Sequence, residues 1–329
     1  MTNKKVIFSG AQPTGTLTLG NYLGAIQNWK SFEDDFQCIY SIVDLHSLTI
    51  RTNPEEFKES CLSMLAQYLA CGINPDKNIV FFQSHVPQHS ELAWILNCNT
   101  YMGELNRMTQ FKDKSANHKD NINAGLFAYP ALQAADILLY KTNLVPVGQD
   151  QKQHLELARD IATRFNNNYG ETFVVPEIYT PKLGAKIMSL QNPNVKMSKS
   201  DENPNAYISI LDDEKNLIKK MKRAVTDNEG VIRYSDEQPG IKNLITIYSK
   251  LTGLQIEEIE NKYEGKGYGH LKTDLAEIVV ESLNPIQTTY NKYMNAPDYL
   301  QEVYTKGADK AKELAEDTMK KVKNNIGLV

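Results

Sequence analysis

Short apolar runs alternate with helical patterns over the first half of the chain. Four of these runs have the apolar character of buried strands: residues 6–8, 38–43, 79–83 and 144–147. A helical pattern follows each run, and the clearest one begins after Asn53, has Pro54 at its first position and stops at Gly72. Strands that alternate with helices predict an α/β fold with a doubly wound parallel sheet.

The pattern changes after about residue 206, where only helical spacing of apolar residues continues. Residues 217–225 and 241–248 each place apolar side chains on one helix face, and a last helix does so up to Ile326. We therefore expect two domains, a Rossmann-like domain over residues 1–205 and an all-helical carboxyl-terminal domain over residues 206–329. The boundary falls near Pro204.

The composition is typical of a globular protein without a membrane-spanning segment. Of 329 residues, 41% are hydrophobic and 23% are charged, and no apolar run approaches the ~20 residues that span a bilayer. The amino-terminal sequence enters a strand pattern without the apolar segment of a secretion signal, so we expect a cytoplasmic protein. The four cysteines form no CxxC pair, and His85 and His89 have no third ligand type near them, so neither group predicts a metal site.

Two clusters of basic residues occur late in the chain, although its formal net charge is −4. They are, in order, Lys219, Lys220, Lys222 and Arg223, and then Lys320, Lys321 and Lys323. Each cluster is compatible with an ordinary solvated helix surface or with a local surface for a polyanion.

Two polar stretches have the composition of ligand-binding loops. The first, TLGN at residues 18–21, opens a helix after the first strand, and Asn21 stands where a phosphate-binding P-loop requires lysine. The second, KMSKS at residues 196–200, places two lysines three positions apart beside Asn and Pro. In isolation, the first is equally compatible with a helix N-cap in a tight turn, and the second with a solvated loop.

Together, and in this order around such a sheet, TLGN and KMSKS resemble the signature sequences of the class I aminoacyl-tRNA synthetases. Thr18 and Asn21 replace the two histidines of the commoner HIGH form, and this variant is similar to that of the tryptophan-specific members. Four further segments resemble bacterial tryptophan-specific members: residues 103–115, 129–140, 145–160 and 224–230. The resemblance covers nearly the whole chain.

The resemblance implies an ATP-dependent ligase that acts in two steps. It would join L-tryptophan to ATP, with Mg²⁺, to give an aminoacyl-adenylate and pyrophosphate, and would then transfer tryptophan to the terminal ribose of tRNA(Trp). It further implies that the helical domain reads the anticodon. A homodimer is implied as well, with the helices around residues 90–140 at its interface.

The resemblance also assigns site residues, position by position. Three lysines would face the reacting phosphates as catalytic residues: Lys114, Lys196 and Lys199. The ATP-binding positions would be Gln12, Thr18, Gly20, Asn21, Gly148, Asp150, Ile187, Lys196, Met197, Ser198 and Lys199. The tryptophan-binding positions would be Phe8, Val43, His46, Tyr129, Gln133, Asp136, Val145, Val147 and Gln151. Gln133 and Gln149 depart from the Met and Glu that are common at these positions, which changes a pocket wall and the charge near the ribose.

Asp136 also has a physical rationale that does not depend on the resemblance. It interrupts the apolar sequence AADILLY (134–140), and a buried carboxylate is costly unless it is hydrogen bonded. One interpretation is a core aspartate satisfied by an arginine or a backbone amide. The other is an acceptor for a ligand N–H, and indole offers one donor and no acceptor.

Three rival functions share the fold or the phosphate motifs. A tyrosine-specific synthetase needs both a donor and an acceptor for a phenol hydroxyl, which Asp136 in an apolar helix does not favour. A small-metabolite adenylyltransferase would lack a helical RNA-binding domain of this size. A non-catalytic RNA-binding relative is expected to lose the loop lysines, which are intact here.

Overall fold

The computed structural model describes residues 4–29, 32–111, 122–148, 151–179 and 186–329. In these residues one parallel sheet contains the strands β1 Lys5–Ala11, β2 Phe36–Ile42, β3 Ile79–Phe82, β4 Leu144–Pro146 and β5 Glu177–Tyr179. Their order is β3-β2-β1-β4-β5, so the chain builds the sheet outwards from β1 in both directions. The doubly wound parallel sheet expected from the sequence is confirmed.

Helices cover both faces of the sheet and continue to the carboxyl terminus. The first is α1 Leu19–Asn21, which passes through a π-helical turn at Tyr22–Ile26 into α2 Gln27–Trp29. The others are α3 Asp44–Ser47, α4 Pro54–Ala70, α5 Gln88–Asn97, α6 Met102–Asn106, α7 Ala124–Leu138, α8 Lys152–Tyr169, α9 Glu214–Lys222, α10 Pro239–Thr252, α11 Ile256–Lys262, α12 Tyr268–Met294 and α13 Pro297–Ile326. In the part of the chain that the structure describes, no helix has the length and apolarity needed to cross a membrane.

Helix α4 begins and ends as the sequence predicts. The side-chain oxygen of Asn53 accepts hydrogen bonds from the backbone amides of Glu55 and Glu56 at 2.9 and 3.4 Å, and Pro54 follows it. These acidic side chains lie at the positive end of the helix, which they stabilise. Gly72 takes a φ of 99° just after the end, a conformation that glycine adopts without strain.

Successive residues of the central strands enter two apolar cores on opposite faces of the sheet. Tyr40 and Ile42 of β2 lie in the first core, with α4 and the carboxyl-terminal helices. Ile39 of β2 and Phe81 of β3 lie in the second core, with α5, α7 and α8. Because both faces are covered, a ligand approaches the sheet at the ends of its strands.

The carboxyl-terminal helices share these cores with the sheet. Leu217 of α9 and Leu244 of α10 belong to the first core. Helix α13 returns to β3, where a Cβ added to Gly307 would lie 1.8 Å from the Val80 carbonyl oxygen, so this approach requires glycine. The helical carboxyl-terminal region is confirmed, and the domain boundary between residues 205 and 206 stays a prediction.

Candidate active site

A cavity of about 510 Å³ opens beyond the carboxyl ends of β1, β2 and β4. It lies between the two neighbours of β1, where ligands bind in doubly wound sheets. Its walls include thirteen residues expected from the sequence: Phe8, Gln12, Asn21, Val43, His46, Tyr129, Gln133, Asp136, Val145, Val147, Gly148, Gln151 and Lys199. The structure therefore brings all the expected tryptophan positions and part of the expected ATP positions into one cavity.

Asp136 is the buried charge of this cavity, with 2% of its surface exposed. Its Oδ1 accepts hydrogen bonds from Gln83 Nε2 at 2.5 Å and His89 Nδ1 at 2.7 Å. Its Oδ2 accepts one from His46 Nε2 at 2.7 Å. His89 Nε2 in turn lies 2.7 Å from the Tyr140 hydroxyl. These partners fix the plane of the carboxylate.

The same partners keep Asp136 ionised. Burial acts to raise the pKa of Asp136, but the charge and hydrogen bonds of His46 and His89 outweigh it, and the pKa is lowered from its usual value. Burial, together with the nearby Asp136 charge, raises the pKa of Tyr140, so its hydroxyl keeps its proton. The described partners are two histidines and a glutamine, rather than the arginine or backbone amide considered from the sequence. Asp136 is thus an anionic acceptor at neutral pH.

Polar side chains next to Asp136 are paired with one another. Gln133 Nε2 donates to Gln151 Oε1 at 3.2 Å. The Tyr129 hydroxyl donates to Gln110 Oε1 at 3.1 Å and lies 2.8 Å from His154 Nε2. Burial raises the pKa of Tyr129 to about 12, so it remains a neutral phenol. Gln133, the departure from the commoner Met, thus adds a hydrogen bond within the cavity wall.

The TLGN segment forms a capping box at the start of α1. Thr18 Oγ1 accepts a hydrogen bond from the Asn21 amide at 3.1 Å, and the Thr18 amide donates to Asn21 Oδ1 at 3.0 Å. The N-cap interpretation therefore describes the local structure, while Asn21 is exposed and also lines the cavity. Ile187 and Met197 pack against Gly20, since the Cβ atom of each would lie 3.5 Å from a Cβ added there.

The KMSKS loop follows a short hairpin that brings it to the cavity. The Met197 amide donates to the Ile187 carbonyl oxygen at 3.0 Å, and the Ser189 amide to that of Val195 at 2.8 Å. Lys199 is half-buried, lines the cavity and donates from Nζ to Thr14 Oγ1 at 3.2 Å. Burial lowers the pKa of Lys199.

A second cavity, also of about 510 Å³, shares Thr14 and Lys199 with the first. Its other walls come from the turn after β1 and from the segment that precedes α9: Gly15, Thr16, Ser200, Tyr207, Ser209 and Asp212. Thr14 and Lys199 therefore lie at the boundary between the two cavities.

Several expected site residues lie elsewhere. Lys114 and Asp150, and Gln149 beside the latter, lie outside the described residues. Of the described ATP positions, six do not line the first cavity: Thr18, Gly20, Ile187, Lys196, Met197 and Ser198. Lys196 and Ser198 are exposed on the loop. The binding roles of all these residues stay predictions.

Four of the residues that hold Asp136 and Tyr129 were not predicted from the sequence. Gln83 and His89 were not proposed as site residues, and neither were Gln110 and His154. The available signal for Gln83 and His89 was their place at the end of the third strand and just beyond it, at the ligand-binding edge. Among the described residues, no group of three or more His, Cys, Asp or Glu side chains is arranged to hold a metal ion.

Comparison with known proteins assigns the chain to a family. The model of the family described as tRNA synthetases class I (W and Y) matches residues 1–284. The chain belongs to this family. A tryptophan–tRNA ligase of Clostridium tetani (strain Massachusetts / E88) is 57% identical over 327 residues, which cover 99% of this synthetase and 97% of that protein.

Two solved structures resemble this synthetase over nearly its whole length. The tryptophanyl-tRNA synthetase of Mycoplasma pneumoniae has a TM-score of 0.90 at 34% identity, over 99% of this chain and 98% of that one. That of Campylobacter jejuni, complexed with ADP and tryptophan, has a TM-score of 0.86 at 38% identity, over 98% and 100%. The family and the α/β fold with a helical carboxyl-terminal region are confirmed.

Proposed function

We propose that this synthetase is a tryptophan–tRNA ligase, which activates L-tryptophan with ATP and transfers it to tRNA(Trp) in the cytoplasm. The observation that carries the proposal is Asp136, an ionised and buried carboxylate in the wall of the cavity beyond the sheet. The relatives support the same reaction, because a protein 57% identical to this chain is named a tryptophan–tRNA ligase.

Tryptophan would bind with its indole N–H directed at Asp136. Oδ2 suits this role, because His46 is its one described protein donor and a carboxylate oxygen accepts two hydrogen bonds. Phe8, Val43, Val145 and Val147 would supply apolar walls for the ring, and Tyr129 and Gln151 would hold the α-amino end. A site built on such a bond rejects an analogue that lacks the N–H by ~10⁴-fold or more.

In the first step, the tryptophan carboxylate attacks the α-phosphorus of ATP. The bond from this phosphorus to the bridging oxygen breaks, and pyrophosphate leaves with the bonding electrons. The carboxylate is already a competent nucleophile, so the synthetase supplies alignment and charge neutralisation. Lys199, which lies at the cavity, would act on the leaving phosphates with Lys196 and Lys114.

ATP would lie across the TLGN segment and the end of β4. Gln12, Thr18 and Asn21 would face the phosphates, and Gly148 and Asp150 the ribose. Adenine can reach Gly20 only if Ile187 or Met197 moves aside, so we expect ATP binding to shift the KMSKS loop. Mg²⁺ would enter with ATP, since polyphosphate oxygens are ligands that it prefers.

In the second step, the 2′-hydroxyl of the terminal ribose attacks the carbonyl carbon of the adenylate, and AMP leaves. The helical carboxyl-terminal region would read the anticodon, because unpaired bases expose the edges that proteins recognise in RNA.

We also propose a homodimer. Large apolar side chains are exposed in and next to the expected interface segment: Leu48 is 63% exposed, Trp94 72%, Tyr101 62% and Met102 66%. Contiguous apolar patches are rare on monomers and mark interaction sites. A groove of about 320 Å³ lies here, and Leu48 and Trp94 are among its walls.

Amino-acid-dependent ATP–pyrophosphate exchange without tRNA tests the proposal. Each of the twenty amino acids is supplied in turn, and we expect exchange with tryptophan alone. Exchange with tyrosine would move the assignment to the tyrosine-specific synthetases. No exchange with any amino acid would leave the non-catalytic RNA-binding relative as the better description.

A further inference from the structure

Helix α9 has an outer face made of cations. Its buried side consists of Leu217, Lys220 and Met221, and Asp213 caps its start by accepting from the Asn216 amide at 2.8 Å. The opposite side carries Lys215, Lys219, Lys222 and Arg223, all exposed. Their spacing of i, i+4, i+7 and i+8 places them on one stripe of the helix, which we call the α9 cationic face.

The charges of the α9 cationic face are not neutralised locally. In the part of the chain that the structure describes, none of its four residues forms an ion pair, whereas Lys220 on the buried side pairs with Asp212 at 2.6 Å. Glu214 lies one position before Lys215, at the start of the helix rather than on the stripe. The face therefore presents an uncompensated positive potential to solvent.

The second basic cluster of the sequence differs in this respect. At the end of α13, Lys323 pairs with Glu91 at 2.7 Å. The hydrogen bond and charge of Lys141 lower the pKa of Asp317, and the charges of Lys320 and Lys321 contribute in the same direction, so these two lysines lie near an acidic side chain. Two clusters that look alike in the sequence are thus distinguished by their acidic neighbours.

The end of α9 that carries Arg223 lies against the hairpin that leads into the KMSKS loop. The Arg223 carbonyl oxygen accepts from Gln191 Nε2 at 2.9 Å, and the Val225 amide donates to the Leu190 carbonyl oxygen at 2.8 Å. Residues 190 and 191 belong to the hairpin that ends at Lys196. On its buried side, the Lys220–Asp212 pair fastens α9 to a wall of the second cavity, which Lys199 also lines.

We propose that the α9 cationic face binds the ribose–phosphate backbone of tRNA while the 3′ end of that tRNA lies in the active site. This inference rests on the proposed function and adds a surface to it. A chain of net charge −4 does not attract a polyanion as a whole, so the attraction must come from a local surface. This face supplies four cations that form no ion pair with any described residue, on a helix whose end contacts the hairpin that leads into the KMSKS loop.

The test is a pair of matched triple variants. One carries Lys219→Gln, Lys222→Gln and Arg223→Gln, and the other carries the same three charge removals at Lys320, Lys321 and Lys323. Glutamine keeps the helix, because its helix propensity is close to that of lysine and arginine. Both variants are compared with wild type in tryptophan-dependent exchange and in aminoacylation of tRNA(Trp) over a range of salt concentrations.

We expect exchange to remain at the wild-type level in both variants, since that reaction needs no tRNA. In aminoacylation, the KM of the α9 variant for tRNA should rise by at least about ten-fold. The slope of log KM against log salt concentration should decrease by ~0.7–0.9 for each phosphate contact that is lost. The α13 variant should keep both values.

Two results would overturn the inference: an unchanged KM for tRNA in the α9 variant, or an equal rise in the two variants, which would indicate a general field effect. A charge-conserving variant with Lys219→Arg, Lys222→Arg and Arg223→Lys must retain the wild-type KM if phosphate contacts are responsible. Thermal unfolding of each variant detects a loss of folding. Failure of the proposed function would instead appear as absent exchange in the wild type.

Discussion

Asp136 shows how few side chains define the chemistry of this site. Two donors, Gln83 and His89, occupy Oδ1, and only His46 is described at Oδ2. The carboxylate is consequently fixed with one acceptor direction left for a ligand. Tyr140 stands behind His89 and holds the ring, so the position of the acceptor depends on a residue that does not line the cavity.

Substitution of this acceptor should weaken tryptophan activation selectively. In Asp136→Asn, a neutral amide replaces the anion, and we expect kcat/KM for tryptophan in exchange to fall by roughly 10- to 100-fold, the size of a charged hydrogen bond. The sulfur isostere of tryptophan, with benzothiophene in place of indole, has no N–H to lose. Its kcat/KM should change little, so the preference for tryptophan over this analogue, the ratio of the two kcat/KM values, should fall by roughly the same 10- to 100-fold.

Tyr140→Phe is the graded control for this prediction, because it removes one hydroxyl behind His89 and leaves Asp136 in place. It should lower the same ratio by less than Asp136→Asn does. An unchanged ratio in Asp136→Asn would show that the carboxylate serves the fold rather than the indole.

At this scale, the sequence could predict Asp136 and His46 as site residues, but not Gln83 and His89, nor the hydrogen bonds that join the four side chains. A carboxylate inside an apolar helical run is conspicuous, because its burial demands a partner. The partners come from positions 46, 83 and 89, which lie 47 to 90 residues away and carry no local pattern that links them to it. The hydrogen bonds between side chains that meet only through the sheet topology can be assigned only once the fold is known.

The KMSKS loop is the element on which the rate of the first step should depend. Lys199 already lies at the cavity, and we expect its charge to matter most when charge builds on the leaving phosphates. Lys199→Gln should therefore lower kcat of exchange by roughly 100-fold or more, the cost of losing one transition-state donor, and leave KM for tryptophan within about two-fold.

Lys58→Gln provides the control for the loss of one positive charge, since Lys58 is exposed on α4. It should change neither constant. A Lys199→Gln variant that loses tryptophan affinity with an unchanged kcat would assign the lysine to ground-state binding instead.

Two glycines in the carboxyl-terminal helices should respond differently to the same substitution. A Cβ at Gly307 of α13 would lie 1.8 Å from the Val80 carbonyl oxygen, whereas one at Gly269 of α12 meets nothing within 4 Å. Gly307→Ala should reduce the free energy of unfolding by about 1–3 kcal/mol, as overpacking does. Gly269→Ala should leave it unchanged or raise it by up to about 1 kcal/mol. Urea denaturation of the two variants and the wild type measures both effects. Equal effects would mean that α13 does not pack on β3 as described.

Strands with a continuous apolar run and helices with regularly spaced apolar residues could be predicted from the sequence. Elements that bury little surface could not. The four predicted strands correspond to β1 to β4, because each is an apolar run. β5 was missed because its three residues are exposed or half-buried and form no such run. The return of α13 to the sheet was also missed, since the apolar stripe of a helix does not identify the surface that covers it.

At the scale of the whole molecule, the expected dimer surface and the active site share residues. The groove that contains Leu48 and Trp94 also contains His46 and Tyr129, and both of these also line the cavity that contains Asp136. A partner seated in the groove would restrict the motion of His46, the described donor to Asp136 Oδ2. No sequence pattern indicates this link, because it depends on two cavities meeting at the same side chains.

Disruption of the proposed dimer should therefore alter tryptophan activation as well as assembly. Trp94 is 72% exposed, so Trp94→Arg places a charge in the proposed interface without disturbing the core, and we expect a monomer by sedimentation velocity. Exchange by that monomer should show a raised KM for tryptophan, because His46 and Tyr129 lose the support of the partner.

Val231→Arg, at a 49% exposed position in the helical region, should keep both the assembly and the KM of the wild type. A monomeric Trp94→Arg variant with wild-type exchange would separate the two surfaces. A Trp94→Arg variant that assembles like the wild type would place the interface elsewhere.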